Sequence, residues 1–196
     1  MRIEDVSWEA WAGWMLQRRG RLAAISPNVN PLLPFGHRPT EADLTEAEAR
    51  LGHALDAQHV ELLRRVNGWP NLFASGDLLG TGDLGQGARW AYAQQMITAF
   101  YEEGPAIGFP PRDAVYPIHL GESDLFVIDM AGPVTDGGHP VHWLDGSVVD
   151  TWPNVREYWR AGLRMLDIVQ EYYERNSAPS NGGNGFTPIR LDPDAR

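Results

Sequence analysis

Between Leu44 and Gly68 the chain reads LTEAEARLGHALDAQHVELLRRVNG, a run that fits two short helices in a hairpin and little else. Thr45 and Glu48 have the Thr-x-x-Glu spacing of a capping box, in which each side chain satisfies a free backbone donor at a helix start. Gly52 supplies the left-handed residue that ends the first helix. Asp56 can cap the second, whose buried side would carry Val60, Leu62, Leu63 and Val66. Asn67-Gly68 closes it.

The surrounding segments are read in the same way. Trp8, Trp11 and Met15 recur at three- and four-residue spacing, with Trp14 beside them, which predicts an amphipathic helix within residues 1–25. Its Trp-rich stripe is core or docking surface. Residues 26–39 hold four prolines and should be a linker without regular structure. A short strand is expected over 72–79, then a helix over 88–101 with Trp90, Ala93, Ile97 and Phe100 or Tyr101 on one face. Strands over 115–120 and 125–130 flank Gly121–Asp124. Strands over 141–144 and 147–151 flank Asp145-Gly146, a pair that favours the type I′ turn. Asn154 can cap a last helix whose stripe is Val155, Trp159, Leu163, Leu166, Val169 and Tyr173. From Asn176 onward periodicity is lost, which predicts a disordered tail. The expected organisation is therefore a helix and linker over 1–39, a domain over 40–175 and a tail over 176–196. Helices, then a run of strands, then a helix make the class α+β, with helices packed on one face of an antiparallel sheet.

The order of these pieces closely resembles the SUKH superfamily, the Smi/Knr-like proteins. The resemblance rests on Glu48-Ala49-Arg50-Leu51-Gly52, then Leu55, a second helix and Asn67-Gly68. It continues through GDLLGTGDLG (76–85), VYPIHLGESDLFVIDM (115–130) and PVHWLDGSVVDTWPNVREYW (140–159), covering about 44–166. Leu55-Asp56-Ala57 stands where the pattern usually has Leu-Pro, and the 43-residue N-terminal lead is longer than the pattern expects. The resemblance implies the same α+β fold and a non-enzymatic, cytoplasmic immunity protein of the bacterial polymorphic-toxin type, which neutralises a cognate toxin. Such toxins are often nucleases with cationic surfaces. The alternative it implies is a regulatory or scaffold protein of the Smi/Knr type, in cell-wall or signalling control.

Composition bounds the partners. The 196 residues include no cysteine, which excludes disulfides and Cys-based zinc or iron–sulfur sites and suits a reducing cytoplasm. No signal peptide or membrane span is read, so a soluble chain is expected. All sixteen basic residues are Arg, as codon bias in a GC-rich genome would give. The formal net charge is −10, and residues 77–150 carry eleven acids against two Arg, or −9 of it. Such a field repels nucleic acid and attracts a cationic partner, unless it serves only as a solubilising surface. The candidate contacts are Asp77, Asp83, Glu122, Asp124, Asp145 and Asp150, with Trp69 as an aromatic anchor, since interface hot spots favour Trp.

Catalytic and cofactor motifs are weak. Gly80–Gly85 fits G-x-G-x-x-G, but hairpins follow it where a dinucleotide site needs a βαβ crossover, and Asp83 would oppose a pyrophosphate. His139 and His142 lie three apart, a spacing that puts them on opposite faces of a strand. No serine sits in a nucleophile elbow. No catalytic residue, cofactor or metal is expected, and neither a nucleic acid nor a membrane is an expected partner.

Overall fold

In the computed structural model, residues 6–73, 76–102 and 108–176 are described. Six strands form one sheet in sequence order, each antiparallel to the next: β1 (Trp69–Phe73), β2 (Gly76–Leu78), β3 (Val115–Leu120), β4 (Leu125–Asp129), β5 (Val141–Leu144) and β6 (Val148–Trp152). Five helices accompany it: α1 (Trp8–Ile25), α2 (Glu41–Leu51), α3 (Ala57–Leu63), α4 (Gly87–Glu102) and α5 (Val155–Asn176). The fold is α+β, as expected. None of the described helices is long and apolar enough to cross a membrane. The expected tail lies outside the described residues, except for Asn176, which ends α5.

The helical hairpin forms, but one residue set earlier than its capping motif suggested. Thr40, not Thr45, is the N-cap of α2: Thr40 Oγ1 accepts from Asp43 N, and Asp43 Oδ2 accepts from Thr40 N at 2.7 Å. Starting at Thr45 would leave Leu44 outside the helix, whereas Leu44 and Ala47 share its buried face. Thr45 instead donates its hydroxyl to Glu41 O, and Glu48 Oε1 accepts from Leu55 N across the turn. Gly52, at φ 77°, ends α2 as expected. Asp56 caps α3 by accepting from His59 N at 3.0 Å. Leu62, Leu63 and Val66 are buried, Val60 only partly, and Gln58 and His59 join them inside.

Two other expectations change. The single strand over 72–79 is two strands, β1 and β2, paired with each other. Gly76 permits this, because a Cβ there would collide with the His119 ring. At Asp145-Gly146 only the glycine has positive φ (62°), so the turn is not type I′. Trp143 pairs with Asp150 and Leu144 with Val148, which leaves Asp145–Ser147 as a three-residue loop and Val149 as an extra residue in β6.

The sheet is curled. Neighbouring strands lie about 4.8 Å apart, yet Phe73 on β1 and Phe126 on β4 have ring centroids 6.1 Å apart, with His119 of β3 between them. α5 closes over this aromatic face, with the Tyr158 hydroxyl hydrogen-bonded to His119 Nδ1 at 2.9 Å. α3 meets the same face through His59 Nδ1 and the Tyr116 hydroxyl, 3.1 Å apart. α4 packs along β3. α1 lies on α5, where Trp11 and Met15 are buried and Trp159 Nε1 donates to Trp11 O. The segment 26–39 has no helix or strand, as expected, but it is tied to the body. Arg19 reaches Pro31 O, Trp69 Nε1 reaches Leu33 O, and Gly36 N bonds to Gly68 O.

Candidate partner-binding surface

Of the seven expected contact residues, four gather at one end of the sheet. Glu122 and Asp124 occupy the β3–β4 turn. Asp145 begins the β5–β6 loop, beside the Leu125–Leu144 pair. Asp150 stands opposite Trp143 on the neighbouring strand. Trp143 links the group, since its Nε1 donates to Asp124 Oδ2 at 2.6 Å. Burial raises the pKa of Asp124; that indole bond opposes the shift and the Asp145 charge adds to it. Glu122, Asp145 and Asp150 are exposed, and none of them makes an ion pair among the described residues.

Asp77 and Asp83 lie elsewhere and are engaged within the fold. Arg89 of α4 bridges them, its Nε 3.0 Å from Asp77 Oδ2 and its Nη1 3.4 Å from Asp83 Oδ1. Asp77 also accepts from Asn71 N, and Asp83 from Gly80 N. Their charge is largely local, holding the β1–β2 hairpin and the 80–85 loop. That loop is no phosphate cradle, because Asp83 already occupies the Gly80 N–H.

Trp69 is not an anchor for a partner. Only 1% of it is exposed, Phe35 packs on it at 5.0 Å between centroids, and its Nε1 is satisfied by Leu33. It is a core residue covered by the chain's own 26–39 segment.

Two histidines and two buried carboxylates join elements of the fold. Asp56, 1% exposed, caps α3 with Oδ1, while its Oδ2 accepts from His139 N and lies 2.9 Å from His139 Nδ1. Asp56 thus ties the helical hairpin to the β4–β5 loop, from the position where the resembled pattern has proline. His142 meets Thr151 Oγ1 at 2.9 Å and Asp129 at 3.6 Å. Among the described residues no three His, Asp or Glu side chains converge as a metal site needs.

A feature that the sequence reading passed over lies beside the acidic group. Phe126 stacks on Trp143 at 5.4 Å and on Trp152 at 5.9 Å, and these rings line a groove of about 200 Å³ against α5. The signal was present as three aromatic residues on consecutive strands. Their shared face depends on pairing that is not written in the sequence.

No family model matches the chain, and no curated protein matches it. Among solved structures, a protein from Pseudomonas syringae pv. tomato is similar at 16% identity and a TM-score of 0.47, over 76% of this chain and 98% of that one.

Proposed function

We propose that this is a non-enzymatic immunity protein of the SUKH kind, which binds and neutralises a cognate cationic toxin in the cytoplasm of the cell that makes both. The observation that carries this reading is the group Glu122, Asp124, Asp145 and Asp150 around Trp143. Three exposed carboxylates with no cation partner among the described residues sit next to an aromatic groove. Interfaces of this type pair an aromatic hot spot with charge that steers the partner in. A nuclease surface built to hold phosphate would meet carboxylates in place of it.

The order of motifs that resembles the SUKH superfamily supports the same reading. The test is to mix the purified protein with the C-terminal domain of the secreted protein encoded beside it. A stoichiometric complex with loss of toxin activity is expected. A toxin that stays active and uncomplexed at micromolar protein would refute the proposal.

A further inference from the structure

The groove between the β5–β6 hairpin and α5 combines aromatic faces with a carboxylate in a set order. Successive residues of a strand face opposite sides, so Asp150 and Trp152 project to the same side of β6, and Asp150 is paired directly with Trp143 of β5. The carboxylate is therefore flanked by two indoles. Phe126 forms the floor, near-parallel to both, at 13° to Trp143 and 20° to Trp152. Asp124 holds the Trp143 ring in place through its Nε1. Tyr158, Met165, Ile168 and Arg164 of α5 make the other wall.

We propose that this groove receives the guanidinium side chain of one arginine from a basic protein partner, laid on an indole face with its N–H groups on Asp150. A volume of about 200 Å³ falls below the roughly 300–1,000 Å³ of small-molecule sites, and suits a single side chain. Indole faces attract cations more strongly than other aromatic rings. A planar guanidinium both stacks on them and forks onto a carboxylate, which an ammonium cannot do. Asp150 Oδ1 accepts from Thr151 N at 2.8 Å, and its other oxygen bonds to no described residue. A neutral occupant would bury that carboxylate unpaired, at a cost. Arg164 on the α5 wall opposes a cation in the groove, so contact with Asp150 and the indole face has to outweigh that repulsion.

This inference rests on the reading of the protein as a binder of a basic partner, and its test separates the two. Nα-acetyl-arginine methyl ester is titrated into the full chain while the Trp143 and Trp152 indole N–H resonances are followed. The uncharged citrulline ester is the control, and Trp→Phe variants assign the signals. Both indole signals should shift saturably with the arginine ester and stay still with the citrulline ester. Asp150→Asn, at an exposed position, should weaken binding about tenfold or more, the loss of a charge-assisted hydrogen bond. Equal binding of the citrulline ester, unmoved indoles, or an unweakened Asp150→Asn would each overturn the assignment. So would cross-relaxation in the free chain between the Trp152 ring and residues beyond 176, which would make the chain's own tail the occupant. A toxin bound equally by wild type and Asp150→Asn removes the arginine site and leaves the immunity reading intact. An ester that binds this groove while no toxin complex forms does the reverse.

Discussion

His59 and His119 show how single residues tie this fold to pH. Each is fully buried, and each ring presents Nδ1 to a tyrosine hydroxyl, Tyr116 at 3.1 Å and Tyr158 at 2.9 Å. Burial drives both tyrosine pKa values well above 10, so the phenols keep their protons and share a hydrogen bond with neutral imidazoles. Burial also lowers both histidine pKa values from 6.5 to about 4, against weaker opposing pulls from Asp56 and, at His119, from backbone groups and Asp77. The unfolded chain then takes up protons before the folded one does. The contribution of these two histidines to stability is complete above about pH 6.5, is lost as pH falls toward 4, and changes no further below that. Between pH 7 and pH 5 each histidine should cost about 2 kcal/mol. Urea unfolding of wild type and His119→Gln at the two pH values measures this. The variant should lose less stability on acidification, and identical losses would place the titration elsewhere. The same scale explains why Trp69 misleads as a sequence signal. An Asn-Gly-Trp-Pro turn looks exposed, and only the return of Leu33 and Phe35, more than thirty residues upstream, buries it.

Among the elements, α5 was the most legible, whereas the β5–β6 hairpin was legible in its strands and not in its turn. The α5 stripe has a strict helical period, and Asn154 Oδ1 accepts from Glu157 N as its capping position implied. Local rules suffice there. Between Thr40 and Glu48, two successive capping pairs, Thr40–Asp43 and Thr45–Glu48, compete, and burial of Leu44 and Ala47 decides for the earlier one. The bulge at Val149 depends on strand pairing, so the site that it helps to build, with Asp150 set between Trp143 and Trp152, could not be read from spacing. What the sequence did carry was the acidic section; which of its members face solvent together depended on tertiary contacts. Packing also reverses a local rule inside α5. Glycine in a helix interior normally costs about 1 kcal/mol relative to alanine. At Gly162, however, an added Cβ would stand 2.7 Å from Phe73 Cε1. That ring is held by His119, Phe126 and Tyr158 and cannot withdraw. Gly162→Ala should therefore destabilise by about 1–3 kcal/mol, the usual cost of overpacking. Gly13→Ala, with nothing within 4 Å of its Cβ, should stabilise by up to about 1 kcal/mol. Thermal melts of both variants check the pair. A stabilised Gly162→Ala would mean that α5 stands off the sheet.

Across the whole molecule, the acidic section 77–150 divides into charge that is spent and charge that is free to act at a distance. Asp77 and Asp83 share Arg89, and Asp129 lies against His142. Glu122, Asp145 and Asp150 are exposed and form no ion pair among the described residues, although Arg164 lines the groove together with Asp150. Long-range steering of a basic partner should come from the second group, because a paired charge contributes little field beyond its own ion pair. Association should then be fast at low salt and slow as ionic strength rises, while dissociation changes less. The triple variant Glu122→Gln, Asp145→Asn, Asp150→Asn should flatten the dependence of the association rate on salt. Folding should barely change, since exposed charges each contribute about 0–1 kcal/mol. The pair Asp77→Asn and Asp83→Asn leaves Arg89 unpaired, a local change from −1 to +1 away from the acidic end; it should alter the salt slope less than the triple variant does and lower stability, because Asn71 N and Gly80 N would lose charged acceptors. Stopped-flow association with the basic partner across a salt series, run on all three proteins, separates these outcomes. Equal slopes in wild type and the triple variant would make the acidic end a solubilising surface. A slope flattened by the Asp77–Asp83 pair alone would move the steering charge to the β1–β2 side.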